Sequence, residues 1–537
     1  MSDYGTLLRE RVTLKCGSID RIFLQAYVPK LQTVGQVCTF LRWRRKYKIP
    51  SSAAFGKIGD EWVKRVHEFA KQNEIPIVHF KKGENKEELV RPYLEAAARE
   101  GRDRVVLIGT GQEKASAWRS WKAKGQEKAA HPHMEWGRQM VFINHYYFYL
   151  WDSECGPAFW KTNSYAPYPI WIYLNGHEWA KQQLKKAGIE YEALDNGFRS
   201  CAEPTRLQQI CERFGAGVVQ NFLWRWLRRL PSPFSQADLR AGYIYQLAFR
   251  QFEVSDTRVF DRPQAGRQWF ESVIRDHLDI GRPDQISLIF GRGVNSRTKG
   301  VFRTQVITKG VDPTLTGYYK SSRIKQYFKE GRALRTETVI CNTRDFGIGR
   351  RVTAKNWNAL RAVGEIANQR LCDAEASDAM PAPDVVTFSE VTQPSVQDGL
   401  RAPALRFGDP RVMALLAGLV KFSYLVEGFT NSQVVQHTGQ LLNQNYTSRQ
   451  ATYDLRRLKR KGLISKSGTK RRYQLTALGR RIAVLFTKTY VRVLTPGLTA
   501  FDPGLPNDVA HRSRLATAWR GFEATLNQFM QGALAAA

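Results

Sequence analysis

The rhythm of apolar and polar positions changes several times along this chain, and each change predicts an element. Asp20–Val28 is strand-like, whereas Gly59–Gln72 and Lys86–Glu100 carry the three-to-four-residue period of helices. Ile75–Phe80 and the apolar run Arg104–Gly109 flank the second helix, which predicts a β-α-β pattern. Gly109-Thr110-Gly111 reads as a plain turn after that strand, since a phosphate loop would need a following Lys-Ser/Thr pair.

Further on, Tyr146–Trp151 predicts a strand ending in Asp152, with a tight turn at Ser153–Gly156. Ala158–Tyr165 and Pro169–Asn175 are extended, His177–Ala187 is helical, and Glu190–Leu194 leads into Asp195-Asn196-Gly197. Ser235 with Asp238 has the form of a capping box, opening a helix predicted to run through Tyr243, Tyr245 and Phe249 to Glu253 or beyond. Strands follow at Ser287–Phe290, Val301–Thr308, Thr314–Tyr319 and Ala333–Cys341, between Gly and Pro breaks. From Asp373 to Leu400 there is no Lys or Arg, and acids and prolines mark a linker.

The last part begins near Asp409. Val412–Glu427, Asn431–Leu442 and Thr447–Lys461 are helical, with Thr447 or Ser448 as the N-cap of the third. Gly462-Leu463-Ile464 enters a strand, Lys466–Arg472 makes a basic hairpin tip, Arg472–Leu475 returns, and Thr476-Ala477-Leu478-Gly479 opens another helix. This order, carried above all by Tyr453–Leu458, Gly462–Ile464 and Arg472–Thr476, resembles the winged-helix domain of bacterial transcription regulators. Leu455, Leu458 and Leu463 suit its core. Thr447 to Leu494 carries 14 Lys/Arg and one acid, Asp454, a distribution that fits a helix in a major groove beside a wing on phosphate. Arg449, Arg456, Lys459, Arg460, Lys470, Arg471 and Arg472 are the expected contacts.

Charge strengthens the case for a polyanionic partner. The 537 residues hold 82 Lys and Arg against 49 Asp and Glu, a net of +33. Such an excess strains a compact state unless an anion offsets it. DNA fits best, RNA second, and homo-oligomerisation is compatible with either. Gly291 to Arg351 alone has 14 basic residues against 4 acids, interleaved with Tyr318, Tyr319, Tyr327 and Phe328. Lys320, Arg323 and Lys325 would there track a backbone while the rings stack on bases. An ordinary basic sheet with a buried aromatic face fits the same residues. Seven scattered cysteines without a Cys-x-x-Cys pair argue against a zinc ribbon or disulfide framework and for the cytoplasm, in association with the nucleoid. No apolar run reaches the 18 residues of a membrane span, so no membrane role is expected.

The meander, helix and strand around Asp152 and Asp195 resemble the RNase H-like core of DD(E/D) transposases and integrases. That resemblance implies that Asp152, Asp195 and a third acid on a later helix hold Mg²⁺ or Mn²⁺ for in-line strand cleavage or transfer. Glu253 is the expected third acid, with Asp256, Glu203 and Glu212 as substitutes. The interval from Asp195 to Glu253 departs from the family's compact spacing and would need an insertion around Gln220–Phe234. Asp-Asn-Gly is also a common turn, and Asp152–Gly156 a plausible hairpin tip.

His131, His133 and Glu135 are spaced as in an exposed loop, and Glu337 reads as an ion-paired strand residue. Lys181 stands where a zinc protease would need its second His. The expectation is therefore a multidomain α/β protein: an α/β domain at 1–136, an RNase H-like domain at 137–284, a basic β-rich region at 285–372, a linker at 373–408, a winged helix at 409–495, and a tail with a helix at 496–537. Its expected function is metal-dependent DNA strand cleavage or transfer of the mobile-element, nuclease-like kind. The alternative is a non-catalytic DNA- or RNA-binding protein, either a winged-helix regulator or an RNA-binding scaffold.

Overall fold

A computed structural model describes residues 11–81, 83–125, 133–276, 289–290, 304–307, 314–378, 384–397, 399–419, 429–467 and 472–489, with four positions beyond. The chain is mixed α/β and forms two bodies. The larger comprises Arg9–Ile286 and Val294–Gln369; the other comprises Met1–Leu8, Ser287–Gly293 and Arg370–Ala537.

The larger body is built on β1 (Val12–Tyr27), β2 (Ile77–His79), β3 (Arg104–Lys122), β4 (Met134–Asp152), β5 (Gly156–Asn163), β6 (Ile170–Asn175), β7 (Tyr191–Leu194) and β8 (Gly197–Cys201). It continues with β9 (Gln246–Phe260), β10 (Thr304–Ile307), β11 (Thr314–Tyr319), β12 (Ser322–Lys329) and β13 (Ala333–Ile340). All but β7 and β8 join one eleven-stranded sheet, ordered β10-β11-β12-β13-β9-β1-β6-β5-β4-β3-β2. Among the described residues, only β2 and β3 pair in parallel. Its helices include α1 (Ala54–Gln72), α2 (Lys86–Glu100), α3 (Gly176–Ala187), α4 (Pro204–Arg213), α5 (Ala216–Leu227), α6 (Gln236–Arg240) and α7 (Ala354–Asp378), the last running on past Gln369.

The β-α-β unit exists as β2-α2-β3, since a parallel pair needs a crossover. One sheet runs through the expected first, second and third domains, since β1 pairs with β9 and β9 with β13. β3 pairs with β4 through Trp121 and Glu135, and β1 pairs with β9 from Val12–Phe260 to Tyr27–Gln246. Gly109 is no turn either. It lies inside β3, where a Cβ would stand 2.0 Å from Phe80, so glycine is there to let that ring lie on the strand.

The capping box of Ser235 and Asp238 forms, but it starts a helix of five residues. Gly242, at φ 83°, follows it, and the residues expected to be helical up to Glu253 form β9 instead. Leu247 and Phe249 there alternate with less buried neighbours, the period of a strand. The polar positions that looked like the outer side of a helix are filled by neighbouring strands.

On β9, Ser255 contacts α3 through His177, while the next-door Val254 meets α7 through Gly364 and accepts a hydrogen bond from Asn368 on its carbonyl. Successive residues point to opposite faces, so α3 and α7 cover the two faces of the sheet.

The second body contains α8 (Val385–Thr392), β14 (Ser395–Gln397), β15 (Leu400–Ala402), α9 (Pro410–Leu419), α10 (Asn431–Leu442), α11 (Ser448–Arg460), β16 (Ile464–Ser467), β17 (Arg472–Leu475) and α12 (Ala477–Thr489). Leu415, Leu416, Val434, Leu455, Leu458 and Phe486 form one core. The segment expected to be a linker contributes to it. Val391 and Leu405 are buried in that core, and Lys461 Nζ donates to the carbonyls of Glu390 and Gln393 at 2.7 and 2.8 Å. Absence of positive charge there reflects packing against a basic helix end, not freedom from structure. Among the described residues, no helix is long and apolar enough to cross a membrane. The expected helical tail at 496–537 lies almost wholly outside them.

Candidate functional site

The helices and hairpin of the second body present one strongly basic element. α11 starts at Thr447, whose hydroxyl accepts from the Gln450 amide while the Gln450 side chain accepts from the Thr447 amide at 2.7 Å. Such a box saves two donors that would otherwise lack partners. Ala451, Leu455 and Leu458 face the core at helical spacing. Arg457, Lys459 and Arg460 fall in the last turn, where the helix dipole favours cations.

The single acid of α11, Asp454, is buried. It accepts from Arg411 Nε at 2.9 Å and from the Tyr446 hydroxyl at 2.7 Å, which fixes the helix to its neighbours. That leaves Arg449, Thr452, Tyr453, Arg456 and Lys459 exposed along one side, with no carboxylate among them. Arg460 is half-buried and donates to the Arg401 carbonyl. β16 and β17 pair antiparallel after α11, with Lys466 exposed. Arg472 begins β17, and the predicted contacts Lys470 and Arg471 lie outside the described residues.

The predicted metal ligands are not brought together. Asp152 is fully buried at the end of β4 and takes five donors: Arg225 Nη2 at 2.7 Å and Nε at 3.0 Å, Trp226 Nε1 at 2.7 Å, and the amides of Glu154 and Cys155, each at 2.9 Å. Those donors fill the lone pairs a cation would need. Asp195 is 89% exposed in the β7–β8 turn, with Lys329 3.8 Å away. β7 pairs with β8 rather than beside β4, so the two aspartates do not sit on neighbouring strands. Glu253 is on a strand, not a helix, and shares no partner with either.

The substitutes fare no better. Asp256 pairs with Arg258, Glu203 precedes α4, and Glu212 accepts from Gln208. Glu135 accepts from Trp121, and His131 lies outside the described residues. No group of three His, Cys, Asp or Glu side chains poised for a metal occurs among the described residues.

What Glu253 does join is a buried ionic network, signalled in the sequence only by the ion-paired Glu337. Asp20 on β1, Glu253 on β9 and Glu337 on β13 come from three adjacent strands. Arg335, wholly buried, donates to Asp20 at 2.5 Å and to Glu337 at 2.6 Å, and its Nη2 lies 3.0 Å from His177 Nε2. Arg21 stands 3.3 Å from Glu253, and Lys325 bridges Glu253 at 3.6 Å and Glu337. Lys325 is thereby neutralised, so it is not the free phosphate contact expected; Lys320 lies 3.7 Å from Asp345, and Arg323 stays half-buried on β12. Three cations thus meet three carboxylates. The pattern Arg335-x-Glu337 on an all-buried strand was the available signal, disguised as an ordinary alternating surface.

Burial pushes Asp20 up, but Arg335, the Asn196 amide and Arg21 together hold it below the usual carboxylate range. Burial pushes Glu253 up too, and Asp20 and Glu337 add to it against Lys325 and Arg21, so it titrates at about 7. Burial and Arg335 hold His177 well below its ordinary value, leaving that ring neutral. A carboxyl raised from 4.5 to about 7 loses stability as pH climbs between those values, because the unfolded chain gives up the proton first. The loss sums to roughly 3 kcal/mol at about 1.4 per pH unit and is constant above pH 7. Glu253→Gln should match the parent protein near pH 4 and exceed it increasingly up to pH 7. Urea midpoints at pH 4 to 8 check this; a difference that ignores pH would show that Glu253 does not carry the proton.

No family model, curated protein or solved structure matches this chain. The geometry therefore has to carry the functional reading by itself. It offers a rigid basic helix with a paired hairpin, and a carboxylate network neutralised from within.

Proposed function

We propose that this protein binds double-stranded DNA through its second body, with α11 entering the major groove and the β16–β17 hairpin lying along the backbone. One observation carries the reading: the exposed side of α11 is lined by Arg449, Arg456 and Lys459, while the helix's only acid is turned inward and paired. A helix built merely to be solvated would gain from mixed charges along its outer side. This one leaves its positive charge uncompensated, which suits a phosphate partner. The order of three helices and a hairpin supports the winged-helix likeness, and in such domains the helix before the hairpin reads base edges.

Strand cleavage is not carried forward. Its three carboxylates share no partner, and two of them are held by arginines and a lysine. Duplex binding is the reading that the exposed side of α11 supports.

Fluorescence anisotropy with duplex DNA tests it. The triple replacement Arg449→Ala, Arg456→Ala and Lys459→Ala should weaken binding about a thousandfold or more at moderate salt and flatten the log–log salt slope by roughly 3. The fold should survive, because all three side chains point to water. Unchanged affinity and slope in a folded triple variant would end the proposal.

A further inference from the structure

The larger body holds a second cationic feature, independent of α11. Residues from β1, β3, β4, β5, β6 and β9 enclose a cavity of about 280 Å³ whose wall includes Lys114, Arg138, His145, Lys161, Trp171 and Arg250 and contains no carboxylate. Behind it, Glu113 pairs with Lys161, so that lysine is already neutralised. The other cations are not. Arg138 donates to the Gln32 side-chain oxygen at 2.9 Å, and Arg250 donates to that of Gln25 at 2.8 Å. Lys114 faces only the ring of Phe142, at 5.2 Å. Among the described residues none of the three has a carboxylate partner.

These three side chains are exposed and rest on neutral amides or a ring, so their positive charge stays uncompensated at the cavity, which suits an anion. Burial lowers the pKa of Arg138 and of Arg250, with Arg350 adding to the second, which is the mark of charge held without compensation. His145 lies in the same wall. It is 1% exposed, and its Nδ1 has no hydrogen-bond partner, while Nε2 is 3.4 Å from the Asn163 amide. Burial and Lys161 hold this ring down at about 4, so near neutral pH it is uncharged and adds no positive charge to the wall.

We infer that this cavity binds the phosphate of a nucleotide, with Arg250, Arg138 and Lys114 supplying charge and Trp171 a wall for the sugar or base. The volume lies just under the roughly 300–1,000 Å³ usual for small-molecule pockets, so one nucleotide unit fits and anything longer must leave through the mouth. The nucleotide could be free or part of a single strand; the chemistry recognised is the same.

Calorimetric titration of the full-length protein with AMP, a thymidine hexamer and inorganic phosphate tests the site. AMP or the hexamer should bind, inorganic phosphate at least tenfold more weakly, and Arg250→Gln and Arg138→Gln should each lower affinity at least tenfold. A hexamer ten times tighter than AMP identifies a strand as the source; parity identifies a free nucleotide. Neither arginine has a carboxylate partner, so both variants should melt no lower than the parent. Lys114→Gln, at an exposed side chain, repeats the test with a smaller loss. The α11 triple variant should leave this binding unchanged, which separates the site from the duplex interface. No binding of AMP or hexamer, binding indifferent to all three substitutions, or phosphate equal to AMP would overturn it.

Discussion

Arg335→Leu should destabilise the larger body by about 3–5 kcal/mol, the usual cost of removing one partner from a buried ion pair. The reason lies in what remains. Asp20 and Glu337, both 0% exposed, would lose their shared guanidinium at 2.5 and 2.6 Å. Glu253 already titrates at about 7 through burial, with those two carboxylates adding to it, and losing Arg335 would raise Asp20 as well. The variant should therefore regain part of its stability on acidification to pH 5, where the carboxyls take up protons. Denaturant unfolding at pH 5 and pH 8 measures both effects. A loss below 1 kcal/mol at pH 8 would mean that the network contributes little to the fold.

Asp152→Ala should cost about 2–4 kcal/mol, because it strips Arg225, the Trp226 indole and two backbone amides of one acceptor. Arg225 keeps some contact with water, which places the figure below that for Arg335. Asp152→Asn separates the two possible roles of this residue. An amide keeps the shape of the carboxyl but turns an NH₂ group toward donors, so it too should lower the melting temperature. A metal ligand would behave otherwise: Asn would leave the fold intact and remove only activity. Melting curves for the two variants decide between these outcomes, and an Asn variant as stable as the parent would restore the ligand reading.

Local elements were legible in the sequence wherever a cap and a period agreed. Lys86–Glu100, Asn431–Leu442 and Thr314–Tyr319 have the bounds that their residues predict, and the helix after Thr447 starts at its cap. Long-range pairing was not legible. Nothing near Val12 announces that its partner is Phe260, and nothing near Glu190–Leu194 shows that this strand turns back on Gly197–Cys201 instead of entering the main sheet. Asp152 looked like a ligand because an acid at a strand end fits both a metal and an arginine, and Arg225 is 73 residues away. Glu253 was placed on a helix because the capping box at Ser235 is real, although the helix it opens stops after one turn. Charge was the most transferable signal: the basic run after Thr447 marked α11 without knowledge of its neighbours.

The place of β1 has a bearing on how the molecule is made. This strand lies between β6 and β9, so its partners emerge from the ribosome long after it does. Until then its apolar side and open edges stay unsatisfied, the condition in which chains stick to one another. Contacts so distant in sequence also slow the search for the native arrangement. Overproduction at low temperature, or with extra chaperone, should therefore raise the yield of native material more than any change of buffer after lysis.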